Sequence, residues 1–394
     1  MRQSEAQPTP PDHQTESVAQ GAASTQSIEP PSPTSGEGTG AAEQKKPGTE
    51  LSPPQTDPPD SATAEIQALQ KETKGIATSL VESFPNNPGA LRVLGMVYNA
   101  VGERAKASES WEKALRLAPS RPDFYLLLAT LAHLQGEYEK VTDLCRTGLA
   151  KCVPTPALYR GLATALISLG KPDEAVAPLQ RAVEMSPQDG KNHQLLGTTY
   201  SMLNQHEKAK ESYELAVKLQ PRNALAHYGL AMACAKLGLE EQSKQSLDQY
   251  QKLTAESMSA QRGMRGVSHA VEWERQILAE TCAEAAIVYN GERSFEKAEE
   301  LLRRATVVAP TIPVFRIRLA ALLVNTDRAP EAIPIFREVI ALEPKNPGHH
   351  LALAEVYSRL RRLDDAIVAA KEAVDLEPDN EEYRHILQQL QARR

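Results

Sequence analysis

Apolar and polar residues alternate along most of this chain with the period of an α-helix. In the unit that begins at residue 88, apolar or small residues stand at positions 4, 7, 8 and 11, and again at positions 20, 24 and 27. This spacing places each set on one face of a helix. A short turn lies between the two sets, often with Gly or Asn, as at Gly102, Gly136 and Asn204. Each unit is therefore predicted to be a helix–turn–helix.

The same pattern returns every 34 residues. Pro310, Pro344 and Pro378 close three successive units at this spacing, and a proline at that place is expected to stop the second helix. Eight units begin at residues 88, 122, 156, 190, 224, 279, 313 and 347. No single helical hairpin can bury its own apolar face, so neighbouring units must stack to do so.

Three positions of the unit hold small residues almost throughout. Position 8 is Gly or Ala in all eight units, and position 20 is mostly Ala. Position 27 is Ala or Gly in six units, but it is Tyr250 in the fifth. Small side chains allow two helices to approach closely. The conserved part of the repeat is therefore its packing, and the rest of each unit is free surface.

These residues resemble the tetratricopeptide repeat (TPR) family. The unit from Pro88 matches the family pattern W-x2-L-G-x2-Y, A-x3-F, A and P through Leu94, Gly95, Tyr98, Ala107, Trp111, Ala114 and Pro119. The resemblance covers about residues 88–380. It implies an all-α fold, a right-handed α-solenoid of about eight TPR units with terminal capping helices. Position 4 departs from the family's Trp, as Tyr125, Tyr159, His193 and His227.

The pattern divides the chain into four segments. Residues 1–60 contain 11 of the 28 prolines and no Phe, Trp or Tyr, so they are predicted to be a disordered, acidic, Pro/Ser/Thr-rich tail. Residues 61–257 are predicted to be an N-terminal sub-array, with one capping helix and five repeats. Residues 279–394 are predicted to be a C-terminal sub-array, with three repeats and a capping helix.

Residues 258–278 interrupt the period between the fifth and sixth units. The stretch MSAQRGMRGV predicts a loop over 258–267. Apolar spacing extends the first helix of the sixth unit back to about His269, with Ser268 as its N-cap. Three interpretations stay open for this insertion: a tolerated loop, a hinge between two sub-arrays, and a contact arm.

Charge and motifs argue against nucleic-acid binding and catalysis. The net charge is −7, and most of it comes from residues 1–61, which hold nine acidic and three basic residues. The near-neutral remainder lacks the basic face that nucleic acid requires. We find no phosphate loop, nucleophile elbow or zinc-protease helix in the sequence. We therefore expect no catalytic residue, no cofactor and no metal.

The subcellular localisation is predicted only by default, from the lack of targeting signals in the sequence. No run of 18 apolar residues exists, so no membrane span is predicted. The start MRQSEAQPTPPDHQ has no apolar core of a signal peptide, which favours the cytoplasm, or export if a signal lies upstream. Four cysteines without C-x-x-C spacing are expected to be small apolar core residues.

The resemblance also implies where a partner binds. In this family the first helix of each unit lines a concave groove, through positions 2, 5, 9, 12 and 13. On this chain the groove maps to Arg92, Met96, Asn99, Leu126, Arg160, Ile167, Gln194, Met202, Leu225, Tyr228, Met232, Ile287, Asn290, Ile317 and Asn325. The predicted function is a non-catalytic scaffold or adaptor that binds a protein or peptide there. The alternative is an accessory subunit that positions an enzyme or a cell-envelope machine, with the Pro-rich tail as a tether.

Overall fold

The computed structural model of the protein describes residues 59–263 and 267–394, so the predicted disordered tail lies almost entirely outside the described residues. Within these ranges the chain forms eighteen α-helices and no strand. The helices are α1 Pro59–Ser83, α2 Pro88–Ala100, α3 Arg104–Leu117, α4 Pro122–Leu134, α5 Tyr138–Lys151, α6 Pro156–Ser168, α7 Pro172–Met185, α8 Gly190–Met202, α9 His206–Leu219, α10 Ala224–Lys236, α11 Glu240–Gly263, α12 Val267–Gly291, α13 Phe295–Val308, α14 Pro313–Asn325, α15 Ala329–Leu342, α16 Pro347–Arg359, α17 Leu363–Leu376 and α18 Glu381–Ala392. None of these helices is long and apolar enough to cross a membrane.

The predicted 34-residue period is confirmed. In seven of the eight units the first helix begins at the predicted unit start, and only the sixth unit differs, because α12 begins early, at Val267. One residue in each turn has a positive φ, which favours glycine, and Gly102 and Gly136 meet this need. Asn204 takes the same left-handed conformation, as Asn does more readily than other residues with a side chain.

The small positions allow large side chains to pass between helices. A Cβ atom on Gly95 would lie 2.2 Å from the indole nitrogen of Trp111. The ring of Tyr213 lies against Gly197 in its own unit and against Gly229 in the next, where a Cβ would meet ring atoms at 2.9 and 2.2 Å, respectively. Trp111 and Tyr213, both at position 24, thus fill spaces that the absent side chains of these glycines leave open.

Position 4 carries a recurring hydrogen bond between units. In four units its side chain, although different in chemistry, reaches the carbonyl of the proline that closes the preceding unit. The pairs are Tyr125 to Pro119 at 3.0 Å, His193 to Pro187 at 2.9 Å, His227 to Pro221 at 3.0 Å and Arg316 to Pro310 at 2.6 Å. Carbonyls at helix ends lack partners within the helix, and these donors supply one. This explains why the position tolerates Tyr, His or Arg in place of the family's Trp.

The fifth unit ends differently from the others. Its position 27 carries Tyr250, whose ring packs against Tyr228 with 5.1 Å between centroids, in the place where a small residue admits the next helix. Ala255 stands where other units have the closing proline. With no proline to stop it, α11 continues to Gly263, so the predicted loop is wrong over residues 258–263, which are helical.

The sixth unit packs against the start of the chain. Helix α12 lies against α1 and α2 as well as α13 and α14. Glu65, near the start of α1, contacts Arg275 in the first half of α12, and Phe84, directly after α1, contacts Tyr289 near the end of α12. The two helices therefore run parallel. We call this α1–α12 interface the seam. The predicted N-terminal capping helix exists, and it covers both the first repeat and the sixth.

A single apolar stripe of α1 forms the core of the seam. The buried residues of this cluster include Leu69, Ala77 and Leu80 on α1, and Val271, Leu278, Cys282 and Ala285 on α12. Polar pairs flank the stripe, including Glu72 with Arg304 at 2.7 Å and Gln70 with Glu274 at 2.7 Å. At the other end of the chain α18 covers the eighth repeat and buries Leu390, as predicted for a C-terminal cap.

Candidate partner-binding surfaces

Eight of the fifteen predicted groove residues have exposed side chains. They lie on the first helices of five units, and they include both apolar and amide side chains. The eight are Asn99, Met202, Leu225, Tyr228, Met232, Ile287, Asn290 and Asn325. Such residues are available to a partner, since nothing in the described part of the chain covers them.

The other seven predicted residues are half-buried, and several already have partners within the protein. They are Arg92, Met96, Leu126, Arg160, Ile167, Gln194 and Ile317. Arg160 donates to Asp189 at 2.8 Å and to Asn192 at 2.9 Å, and Gln194 accepts from Asn223 at 3.1 Å. Arg160 and Gln194 thus connect one unit to the next. Their positions in the repeat do not indicate this role.

The most exposed apolar group among them lies on α8 and α10. Leu225 is 64% exposed, Tyr228 43%, Met232 40% and Met202 46%. We call these four residues the α10 patch. Positions 2, 5 and 9 of α10 are separated by three and four residues, so they lie on successive turns of one helix face. Methionine adapts its shape easily, which suits a surface that binds a peptide.

An exposed apolar residue on α12, Trp273, was missed from the sequence, although Ile287 on the same helix was predicted. Trp273 is 53% exposed, and Ile287 on the same helix is 52% exposed. Positions 273, 277, 280, 284 and 287 follow one another at intervals of three or four residues. Trp273, Ile277 and Ile287 therefore lie on one face of α12. The sequence did carry this signal. By the 34-residue period the sixth unit begins at residue 279, after Trp273, so the groove positions of the repeat did not include this residue.

A largely buried carboxylate joins α2, α12 and α14. Glu284 contacts the guanidinium groups of Arg92 and Arg318, the latter at 3.1 Å. Burial opposes the ionisation of Glu284, but the two arginines outweigh it and hold its pKa below the usual carboxyl range. Arg92, a predicted groove residue, therefore serves to join the first repeat to the sixth.

The cysteines and histidines lie in structural settings. All four cysteines are buried, and burial raises the pKa of Cys145 and Cys282 to about 12, so both remain protonated thiols at neutral pH. His193 and His227 bond to proline carbonyls, as described above. In the parts of the chain that the structure describes, no group of three or more His, Cys, Asp or Glu side chains could hold a metal ion.

One cavity opens away from the predicted groove, between the second helices of the first two repeats. It measures about 470 Å³, and Leu115, Pro119, Tyr125 and Leu144 contribute apolar lining. Charged side chains of both signs surround it, namely Glu112, Arg116, Lys140, Asp143 and Lys151. This mixture gives no preference for a ligand of either charge.

Comparison with protein families supports the repeat assignment. Models described as tetratricopeptide repeat match residues 92–140 and 326–390. A model described as the N-terminal TPR repeats region of Psidin matches residues 135–258. Together these matches span more than half of the chain, and the chain belongs to the tetratricopeptide repeat family. No curated protein matches it.

Several solved structures of repeat proteins are similar to parts of the chain. YrrB, whose structure is titled a TPR protein with an unusual peptide-binding site, has 21% identity over 48% of this chain and 96% of its own, with a TM-score of 0.40. MamA has 19% identity over 42% and 97%, with a TM-score of 0.39. A tetratricopeptide repeat protein from Parabacteroides merdae ATCC 43184 has 13% identity over 80% and 99%, with a TM-score of 0.34.

Proposed function

We propose that this protein is a non-catalytic interaction scaffold, and that a peptide or protein segment binds in the concave groove at the α10 patch. The general role of a protein-interaction scaffold follows from its family, while the place of binding is our proposal. The single observation that carries it is the exposure of Met202, Leu225, Tyr228 and Met232 on neighbouring groove-lining helices.

Exposed apolar side chains that cluster in this way are costly unless a partner covers them. Isolated exposed apolar residues are common on second helices here, for example Val307 at 69% and Val368 at 62%, but these do not lie on groove positions. The curvature of a solenoid places first helices on the concave side, where a long segment can contact several repeats at once. We expect the apolar residues to supply most of the affinity and the polar rim to supply orientation.

The test is affinity capture with the full chain as bait, with quantification of bound proteins by mass spectrometry. The variant Leu225→Glu with Met232→Glu should lose the main captured partner, because it places two charges in the contact. The control Val307→Glu with Val368→Glu adds the same charge at exposed apolar sites outside the groove, and it should retain that partner. Circular dichroism should be the same for all three proteins.

Retention of the main partner by the groove variant at the parental level would overturn this site. The same capture addresses the alternative role, since an accessory subunit should bring down an enzyme or an envelope complex with reproducible stoichiometry. In either case the captured partner identifies the process in which the scaffold acts.

A further inference from the structure

Helix α11 is ten residues longer than every other second helix of the array. The second helices α3, α5, α7, α9, α13, α15 and α17 each have 14 residues, and α11 has 24. The additional turns extend past the end of the fifth repeat. The segment Thr254–Ser259 contains small residues, and Met258 within it is 63% exposed.

The face of the fifth repeat that would meet a following repeat lacks a covering helix among the described residues. Leu247 is only half-buried, while Leu179 and Trp111 at the same position are 0% and 2% exposed. The α12 helix, which comes next in the chain, packs in the seam instead. We define the α11 stripe as Leu247, Tyr250, Thr254 and Met258, which follow one another at steps of three and four residues.

The chain cannot cover this stripe with its own extension. The extension and the stripe belong to one continuous helix, and a helix of 24 residues is a rod about 36 Å long that does not fold back on itself. The end of a repeat array requires a cap, as α18 provides for the eighth repeat. Among the described residues no helix serves as the cap for the fifth repeat, which leaves this face open to a helix from another molecule.

We infer that this molecule is a second copy of the chain, which pairs its own α11 with this one in antiparallel orientation about a two-fold axis near Thr254. Tyr250 and Met258 each lie four residues from Thr254, so such an axis sets Tyr250 of one protomer opposite the partner's Met258. The small residues of the extension, such as Ser257, leave room for the bulky Tyr250. The stripe carries no charged residue, so like charges do not oppose its self-association.

The pairing is closed, because a two-fold axis uses the same surface on both copies and leaves none free for further addition. The stripe repeats the contact on which the array itself is built, a helix seated against positions 24 and 27 of a second helix. This dimer does not rest on the proposed function, since none of the four stripe residues belongs to the α10 patch and the variant Met258→Glu leaves the contact between Tyr250 and Tyr228 in place.

The experiment measures the mass of the full chain in solution by sedimentation equilibrium. The parent should have twice the 43.0 kDa chain mass, and Met258→Glu should weaken the dimer by roughly tenfold or more, since it would bury a charge. Val368→Glu is the matched control, because Val368 is 62% exposed and Met258 is 63% exposed, and it should leave the dimer intact.

A cysteine cross-link locates the axis. All four native cysteines are buried, so an added surface thiol has no competitor. Thr254→Cys should form a disulfide-linked dimer under mild oxidation, because the two copies of residue 254 meet at the axis. Lys252→Cys, on the opposite side of α11, should not. A monomeric parent, a dimer that Met258→Glu leaves unchanged, or equal cross-linking at both positions would each overturn the inference.

Discussion

Gly95 and Gly75 are both glycines inside helices, and their surroundings differ. A Cβ on Gly95 would lie 2.2 to 2.8 Å from three atoms of the Trp111 indole, while a Cβ on Gly75 would meet nothing within 4 Å. Glycine lowers helix stability in both places, because it adds backbone freedom to the unfolded chain. At Gly95 the close packing of the Trp111 indole offsets this cost, whereas at Gly75 no such packing exists.

We predict opposite effects of alanine at these two sites. Gly75→Ala should raise the free energy of unfolding by about 0.5–1 kcal/mol through helix propensity. Gly95→Ala should lower it by about 1–3 kcal/mol, because the indole must move out of a well-packed site. Thermal melts monitored by circular dichroism measure both, and a Gly95→Ala protein as stable as the parent would show that Trp111 does not occupy this space.

At the residue scale the sequence predicted the packing positions well and the polar contacts poorly. Ala175 and Ala209 were expected to be small for packing, and both are fully buried. The role of Arg160 could not be predicted, since its contacts with Asp189 and Asn192 depend on side-chain reach across a helix interface. Periodicity specifies which face a residue occupies, and it does not specify the partner of a long side chain.

At the scale of elements, Glu284 gives the clearest prediction. Its carboxylate contacts Arg92 and Arg318, and all three side chains are about one-fifth exposed. Glu284→Gln keeps the shape but leaves two guanidinium groups without a counter-charge. We expect a loss of about 2–3 kcal/mol, less than for a fully buried pair because water still reaches these groups. Urea titration measures it, and Glu355→Gln, in the exposed pair with Arg359, should cost almost nothing.

The same residue gives a pH dependence. Because the folded-state pKa of Glu284 is lowered, its contribution is complete above the ordinary carboxyl pKa and is lost as the pH falls through the lowered value. The stability of the parent should therefore decrease more steeply between about pH 5 and pH 3 than that of Glu284→Gln. Parallel curves for the two proteins would contradict this role.

The sequence predicted α1 as a cap, but it could not predict that α12 would pack on it. The apolar faces of repeat helices are alike, so a periodic pattern does not say which face meets which. The end of the fifth repeat did carry a local signal, in Tyr250 at position 27 and Ala255 in place of proline. Both changes were visible in the sequence, although their consequence, a continuous helix to Gly263, was not predicted.

For the whole molecule, the seam determines how the repeats are arranged. Helix α12 follows α11 in the chain after residues 264–266, and it packs on α1 and α2 at the start of the first array. The first five repeats are therefore joined to the sixth at both of their ends, by the chain at one end and by the seam at the other. A solenoid with eight repeats in continuous register would have α12 on α11 and α1 exposed on one side.

A cross-link across the seam tests this arrangement most directly. Glu65 on α1 and Arg275 on α12 form a surface ion pair at 2.6 Å, and the native cysteines are buried. With cysteines at both positions, a short bismaleimide should link them within one chain. Peptide mapping of the monomer band detects this cross-link. Glu65→Cys with Lys371→Cys, on α17, should give no such link, because α17 does not pack against α1. A 65–275 yield no greater than this control would contradict the seam and favour a continuous solenoid.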